Sequence, residues 1–266
     1  MILKDAMIAL PNEDKFQHLD IRVHNGKIIE LGKLSNLPNL SNLPDEEVIN
    51  LENRLILPGG IDAHVHFDDP GYTSREDFYT GTSAAAQGGI TTIIDMPCTS
   101  IPPITNIDNL KNKLSHIQPK AIVDFCLFGG ISSQSLNDNS IEDFVSLSKY
   151  IVGFKTYATS GMESFSALDS YEFGRACEIA KIANKPILLH AEEQDYINHI
   201  TSIEENQGNS PQNYYQSRPE ISEIIAVLKA IEIAKYFDIS LHIVHVSTSE
   251  SVDLITQANP NRTENG

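Results

Sequence analysis

Ile61-Asp62-Ala63-His64-Val65-His66-Phe67 is a strand-length apolar run carrying two imidazoles, and it marks where the chain changes character. In a strand, residues i and i+2 share a face, so His64 and His66 are expected to point the same way. Strand-length apolar runs recur at Ile90–Asp95, Ala121–Phe128, Ile151–Tyr157, Ile187–His190 and Ser240–Val246. Helical patterning fills the intervals: Glu76–Gln87, Ile107–Leu114, Ile141–Lys149, Ser170–Ala183, Ile221–Tyr236 and, last, Ser249–Ala258. Ser74 and Asp77 read as a capping pair for the first of these helices. Near-continuous apolar strands divided by amphipathic helices predict an α/β fold with a parallel sheet covered by helices. About six β/α units are legible, whereas a closed barrel of this type has eight, so the chain is expected to stop early. No GxGxxG follows any strand to favour an open dinucleotide-binding sheet.

Upstream, residues 1–57 read as β. Ala6–Leu10 is a short apolar run, and Leu19–His24 alternates with period two. Asn25-Gly26 then supplies a two-residue hairpin turn before Lys27–Leu31. A low-complexity loop follows, with Ser-Asn-Leu-Pro at 35–38 and again at 41–44. Glu47–Leu51 is a further strand candidate, and Leu55-Ile56-Leu57 leads into the turn Pro58-Gly59-Gly60. So few strands cannot close a core alone and need strands from elsewhere. The expected organisation is a β unit over 1–57 and a barrel unit over 58–266.

The 19 Lys and Arg against 36 Asp and Glu give a formal net charge of −17, which disfavours nucleic acid and anionic membrane as partners. The start Met1-Ile2-Leu3-Lys4-Asp5 meets charge too early for a secretory signal, and no apolar run approaches the ~18 residues of a membrane span. Cys98, Cys126 and Cys177 are odd in number and lack a CxxC pair, which fits reduced thiols in a cytoplasmic protein.

Ligand-type residues gather at the strand ends, where barrel enzymes build their sites. Beside His64 and His66 stand Lys155 in Gly153-Phe154-Lys155-Thr156, His190 in His190-Ala191-Glu192, and His245 in His245-Val246-Ser247. Converging neutral imidazoles suit a divalent metal. A lysine inside an apolar strand must lose its charge, find a partner or snorkel to the rim. His242 and His245 are three apart and face opposite sides of a strand; His245, nearer the C-terminal end, is the ligand candidate, and His242 is expected to pack or face the helices. His18, His24, His116 and His199 lie outside this set and read as surface or structural.

The ordered set Pro58–Phe67, Gly88-Gly89-Ile90-Thr91-Thr92, Gly153-Phe154-Lys155, His190-Ala191-Glu192 and His245-Val246-Ser247 resembles the cyclic amidohydrolases, a group that includes allantoinase, dihydroorotase and dihydropyrimidinase. The resemblance implies a (β/α)8 TIM barrel of metal-dependent hydrolases with a small β-sandwich built from both chain ends. It also implies two divalent ions, usually zinc, with His64 and His66 on one and His190 and His245 on the other. Lys155, carboxylated by CO2, would bridge them, and a hydroxide between the ions would attack the ring carbonyl. A homo-oligomer is implied for the full-length form. The family's general-base Asp sits at the end of the eighth strand and is expected beyond Gly266; Asp253, on a helix, cannot replace it. If residues 1–266 were the whole product, little or no hydrolysis would be expected.

The choice of ring turns on a few positions. Where dihydroorotases resemble one another in an Arg and an Asn that grip a substrate carboxylate, this chain has Asp68 and Cys98. An Asp there would repel an anionic ring. His64–Gly71, Asp95-Met96-Pro97, Ser160-Gly161 and Ser217-Arg218-Pro219 look like allantoinases instead, and Asp68, Cys98 and Ser160 are the expected substrate contacts. Opening of allantoin to allantoate is the first expectation. Dihydroorotate, a dihydropyrimidine or hydantoin ring, and a non-catalytic scaffold homologue are the alternatives.

Overall fold

The computed structural model describes residues 1–33 and 46–259. The repeated Ser-Asn-Leu-Pro stretch and the tail from 260 lie outside them. Contacts divide the chain into a unit over Met1–Gly60 and a second from Ile61 onward.

In the first unit β1 (Ile2–Ile8), β2 (Gln17–His24), β3 (Lys27–Gly32) and β4 (Val48–Asn50) lie in the order β3-β2-β1-β4, and β5 (Leu55–Ile56) also pairs with β1. Asn25 and Gly26, with φ of 49° and 72°, make the turn that sets His24 opposite Lys27. The first strand begins earlier than its apolar run suggests. The pairing with β2 shifts between Leu3 and Ala6, and Asp5 there has φ 62°, so Lys4-Asp5 interrupt the pattern without ending the strand. Ala6, Ile8 and Ile21 form a small core, while Ile28, Val48 and Leu57 remain more than half exposed at 66%, 57% and 59%.

The second unit strings together β6 (Gly60–Val65), α1 (Phe78–Gln87), β7 (Ile90–Asp95), α2 (Ile107–Ile117), β8 (Asp124–Leu127) and β9 (Gly129–Gly130). After α3 (Ser133–Asp138) and α4 (Ile141–Ser148) come β10 (Phe154–Tyr157), α5 (Ser170–Ile182) and β11 (Ile187–His190). Then α6 (Gln194–Glu205), α7 (Pro211–Gln216) and α8 (Glu220–Phe237) precede β12 (Leu241–Ile243) and α9 (Ser249–Ala258). The expected strand 121–128 is two short ones, because the chain changes neighbours there. Its first part pairs with β7; past Phe128 it pairs with β10, through Gly129 N to Gly153 O at 3.0 Å. The strands thus follow chain order as a parallel wall, β6-β7-β8 and then β9-β10-β11-β12. Strands that shift partners along their length are how a barrel wall acquires its stagger.

The helices cover one side of this wall. Phe144, Leu147, Phe154, Phe173 and Ile187 are buried there, and Ala176 and Ala180 on α5 with Ala226 and Ala230 on α8 complete the layer. Truncating a ring such as Phe154 to alanine would cost about 3–5 kcal/mol. Asp77 alone caps α1, in a reciprocal box with Thr80, so Ser74 has no part in the cap. Helix α6 buries Ile197 alone, although Ile197, Ile200 and Ile203 recur at helical spacing, and α7 buries nothing. Among the described residues, no helix is long and apolar enough to cross a membrane. The three cysteines are free, Cys98 and Cys177 being buried.

Candidate metal centre

Four imidazoles meet at the C-terminal ends of β6, β11 and β12. His64 lies on β6 and His66 just past its end; alternation puts both on one face, with their Nε2 atoms 3.3 Å apart. The residue after them fixes that end. Phe67 is buried against Phe78 of α1, ring centroids 5.2 Å apart, and a Cβ on Gly81 would come within 2.5 Å of the Phe67 ring. The Phe67 amide donates to Asp95 Oδ1 at 2.8 Å, and the other oxygen of that fully buried carboxylate pairs with the fully buried Lys113. Gly89, at φ 81° between α1 and β7, makes a turn that side chains other than glycine adopt at a cost.

His190 closes β11. Its Nε2 lies 2.8 Å from Glu192 Oε2, and since a carboxylate only accepts, Nε2 carries the proton and Nδ1 is left to face His245 Nε2 at 3.0 Å. Tyr157 stacks on the other side of His190, 5.2 Å between centroids and tilted by 26°. The two pairs adjoin through His64 and His245, whose rings are 5.5 Å apart.

His245 arrives by an unexpected route. Lys155, Leu188 and His242 are neighbours across the sheet, so His242 shares the face of Lys155 rather than that of the helices. Strict alternation would then send His245 outward. It reaches the cluster because β12 ends at Ile243 and His245 adopts φ 39°, a left-handed conformation worth about 1–3 kcal/mol of strain in such a residue. The sequence expectation for His242 is corrected accordingly.

Lys155 is fully buried at the centre of β10. Its Nζ has no hydrogen-bond partner and sits 4.3 Å from the centroid of the Tyr157 ring. Burial lowers its pKa to about 7. His64 and His66 are lowered to about 4, by burial first; Lys155 is the next cause for His64, and His64 the next for His66. Burial and then His190 lower His245 as well. His64, His66 and His245 are therefore held toward the neutral form, beside an amine that is readily deprotonated.

These donors suit metal ions in pairs. Two nitrogens bound about 2.0–2.1 Å from one tetrahedral ion stand about 3.3–3.4 Å apart. The His64–His66 separation matches that, and the His190–His245 separation is slightly tighter. Among the described residues no three His, Cys, Asp or Glu side chains form a set that could hold an ion. Each pair needs a further donor, and Lys155, whose charge bears on His64, His66 and His245, has a buried Nζ without a partner.

The expected substrate contacts divide. Cys98 belongs to the cluster, its Sγ 3.0 Å from Tyr157 Oη and 3.7 Å from His66 Nδ1. Asp68 is buried and its carboxylate pairs with Arg75 at 3.4 Å. The Ser160 hydroxyl donates to Phe165 O at 2.7 Å and accepts from Met162 N at 3.2 Å, so it is committed to its own loop. Among the remaining histidines, His18 pairs with Asp5 and His116 bonds Asn112 O, both at the surface. Asp253 is exposed on α9. Sequence reasoning gave no role to Tyr157, Glu192, Glu223 or Asp95. Tyr157 and Glu192 each stand two residues past a ligand candidate and Asp95 ends an apolar strand, signals that were available; Glu223 had none.

Residues 55–264 match the amidohydrolase family. The chain is 32% identical over 260 residues to the allantoinase of Desulfitobacterium hafniense (strain Y51), covering 97% of this chain and 55% of that one. To the probable allantoinase 2 of Dictyostelium discoideum it is 37% identical over 226 residues, 80% of this chain and 44% of that protein. Among solved structures, L-hydantoinase (dihydropyrimidinase) from Arthrobacter aurescens superposes with a TM-score of 0.86 at 27% identity, over 97% of this chain and 55% of that one. The chain spans about half the length of the relatives it matches.

Proposed function

The chain belongs to the amidohydrolase family, and on that premise we propose that its histidine cluster serves the metal-assisted hydrolysis of a cyclic amide, with allantoin as the substrate. The observation that carries the reading is the convergence of four imidazoles from three strand ends, beside a buried, unpartnered lysine whose charge bears on three of them. His64 and His66 would hold one divalent ion and His190 and His245 another, most simply zinc. Lys155, deprotonated by its surroundings, would add CO2 through Nζ with loss of a proton and so supply the anionic oxygen donor that each pair lacks. When bound, such ions supply Lewis acidity toward a carbonyl and lower the pKa of water.

The chain's own residues do the positioning. Glu192 fixes the tautomer of His190, and Tyr157 holds that ring from the stacked side while covering the Lys155 amine. In the reaction water is divided across the ring amide: hydroxyl joins the carbonyl carbon, the C–N bond breaks and the nitrogen takes the proton. Allantoinase and hydantoinase, the names carried by the relatives, describe opening of the same five-membered hydantoin ring, which in allantoin bears a ureido group. Cys98 and the Arg75-paired Asp68 offer no cation to a ring carboxylate, which supports an uncharged substrate.

The test is ring opening by these residues within a chain that also supplies the eighth-strand Asp, given zinc and bicarbonate, with allantoin, hydantoin and dihydroorotate compared side by side. Allantoin is expected to be opened fastest, and His64→Ala or Lys155→Ala should abolish turnover. Preference for dihydroorotate would overturn the substrate assignment, and failure to open any of the rings would overturn the function.

A further inference from the structure

The loop after β12 is held from outside. Glu223, in the first turn of α8, receives the Ser247 amide on both carboxylate oxygens, at 3.2 and 3.0 Å. Its Oε1 also accepts from the Thr248 amide at 2.9 Å and the Thr248 hydroxyl at 2.8 Å. Thr248 is itself the N-cap of α9, its side chain accepting from Ser251 N, so the helix start does not require a second acceptor. What Glu223 adds is a fixed position for residues 247–248, directly after the left-handed bend at His245. His245 itself is exposed and lines, with His190, Glu192 and Glu223, a cavity of about 220 Å3, whereas Val244 and Thr248 on either side of the bend are buried. Helix α8 is a firm base, with Ala226, Val227 and Ala230 buried in the main core. The same end of α8 holds the loop after β11, through Glu193 N to Ser222 O at 3.0 Å.

We propose that Glu223 is a positioning residue for His245: it clamps the Ser247 and Thr248 amides and so holds the backbone bend that turns His245 toward the cluster. This rests on the reading of His245 as a metal ligand. In Glu223→Gln the second acceptor oxygen is lost, the bend relaxes, and the imidazole is no longer presented.

Two measurements on the full chain test it. In the zinc-free protein, amide exchange at Ser247 and Thr248 should quicken by about tenfold or more in Glu223→Gln, while the later amides of α9 keep their rates. Zinc affinity per folded chain should fall by about 10–100-fold in Glu223→Gln, yet Glu223→Gln added to His245→Ala should cost nothing further. Glu250→Gln, an exposed change on α9, is the control. Should Glu223→Gln fail to fold, Glu223→Asp, which keeps the charge but shortens the reach, is expected to show both effects more weakly. An equal affinity loss with and without His245, or unchanged exchange at both amides, overturns the proposal. If the unaltered chain takes up no zinc, the metal reading fails, and the exchange rates alone decide whether Glu223 holds the bend.

Discussion

The two histidine pairs reach the same centre by different means. His64 and His66 come from one strand, spaced by its period of two, and their end is fixed by a buried ring and a buried ion pair through Phe67 and Asp95. His190 and His245 come from two strands, the first with its ring stacked on Tyr157. Glu192 orients the first, and the second stands beyond its strand on a left-handed residue. A pair built into regular structure inherits its geometry from the fold. A pair built on strand ends needs added hydrogen bonds, and these are more easily lost.

Lys155→Ala should have the largest effect, because it removes the donor proposed to be common to both pairs. Uptake of zinc by either pair should vanish in elemental analysis; retention by one pair would show that the pairs are independent. Asp95→Asn should come next and fall on the first pair. It leaves Lys113 buried without a counter-charge, at a cost of about 3–5 kcal/mol in urea unfolding. A loss under ~1 kcal/mol would mean that Phe67 and its packing suffice.

Glu192→Gln should fall on the second pair, with about 10–100-fold weaker zinc binding and little change in unfolding. A smaller effect is expected from acid on the metal-free chain. Because His64 and His66 are lowered from 6.5 to about 4, the unfolded chain binds more protons than the native one between those values. Their contribution to stability is whole above pH 6.5 and is lost as pH falls toward 4. Urea midpoints measured across that window should slope downward with acid, and the slope should flatten in the double variant His64→Asn, His66→Asn.

The contrast also explains what could be read in the sequence. The apolar runs and helical intervals placed the parallel wall, period-two alternation put His64 and His66 on one face, and its apolar strand marked Lys155, because those features are local. His245 was recognised, but alternation assigned its neighbour His242 to the wrong face, since a single positive φ reverses the count. The break between β8 and β9 escaped for a similar reason: a change of strand partner leaves no trace in hydrophobicity. Helix α7, of six residues, is too short to show a period, whereas α6 carries Ile197, Ile200 and Ile203 at helical spacing, a signal that was available. Glu223 lies more than 20 residues before the amides it holds, with Ser247 Oγ–His245 O the nearer, more local contact, and such pairing is a property of the fold alone.

The central claim, that the two pairs and Lys155 form one metal centre, is tested most directly by counting zinc per folded chain after bicarbonate supply and gel filtration. About two ions per chain are expected, as in two-metal hydrolytic sites, with loss of both on Lys155→Ala. A chain that stays folded and carries no ion, or one that keeps its zinc undiminished in Lys155→Ala, would contradict it.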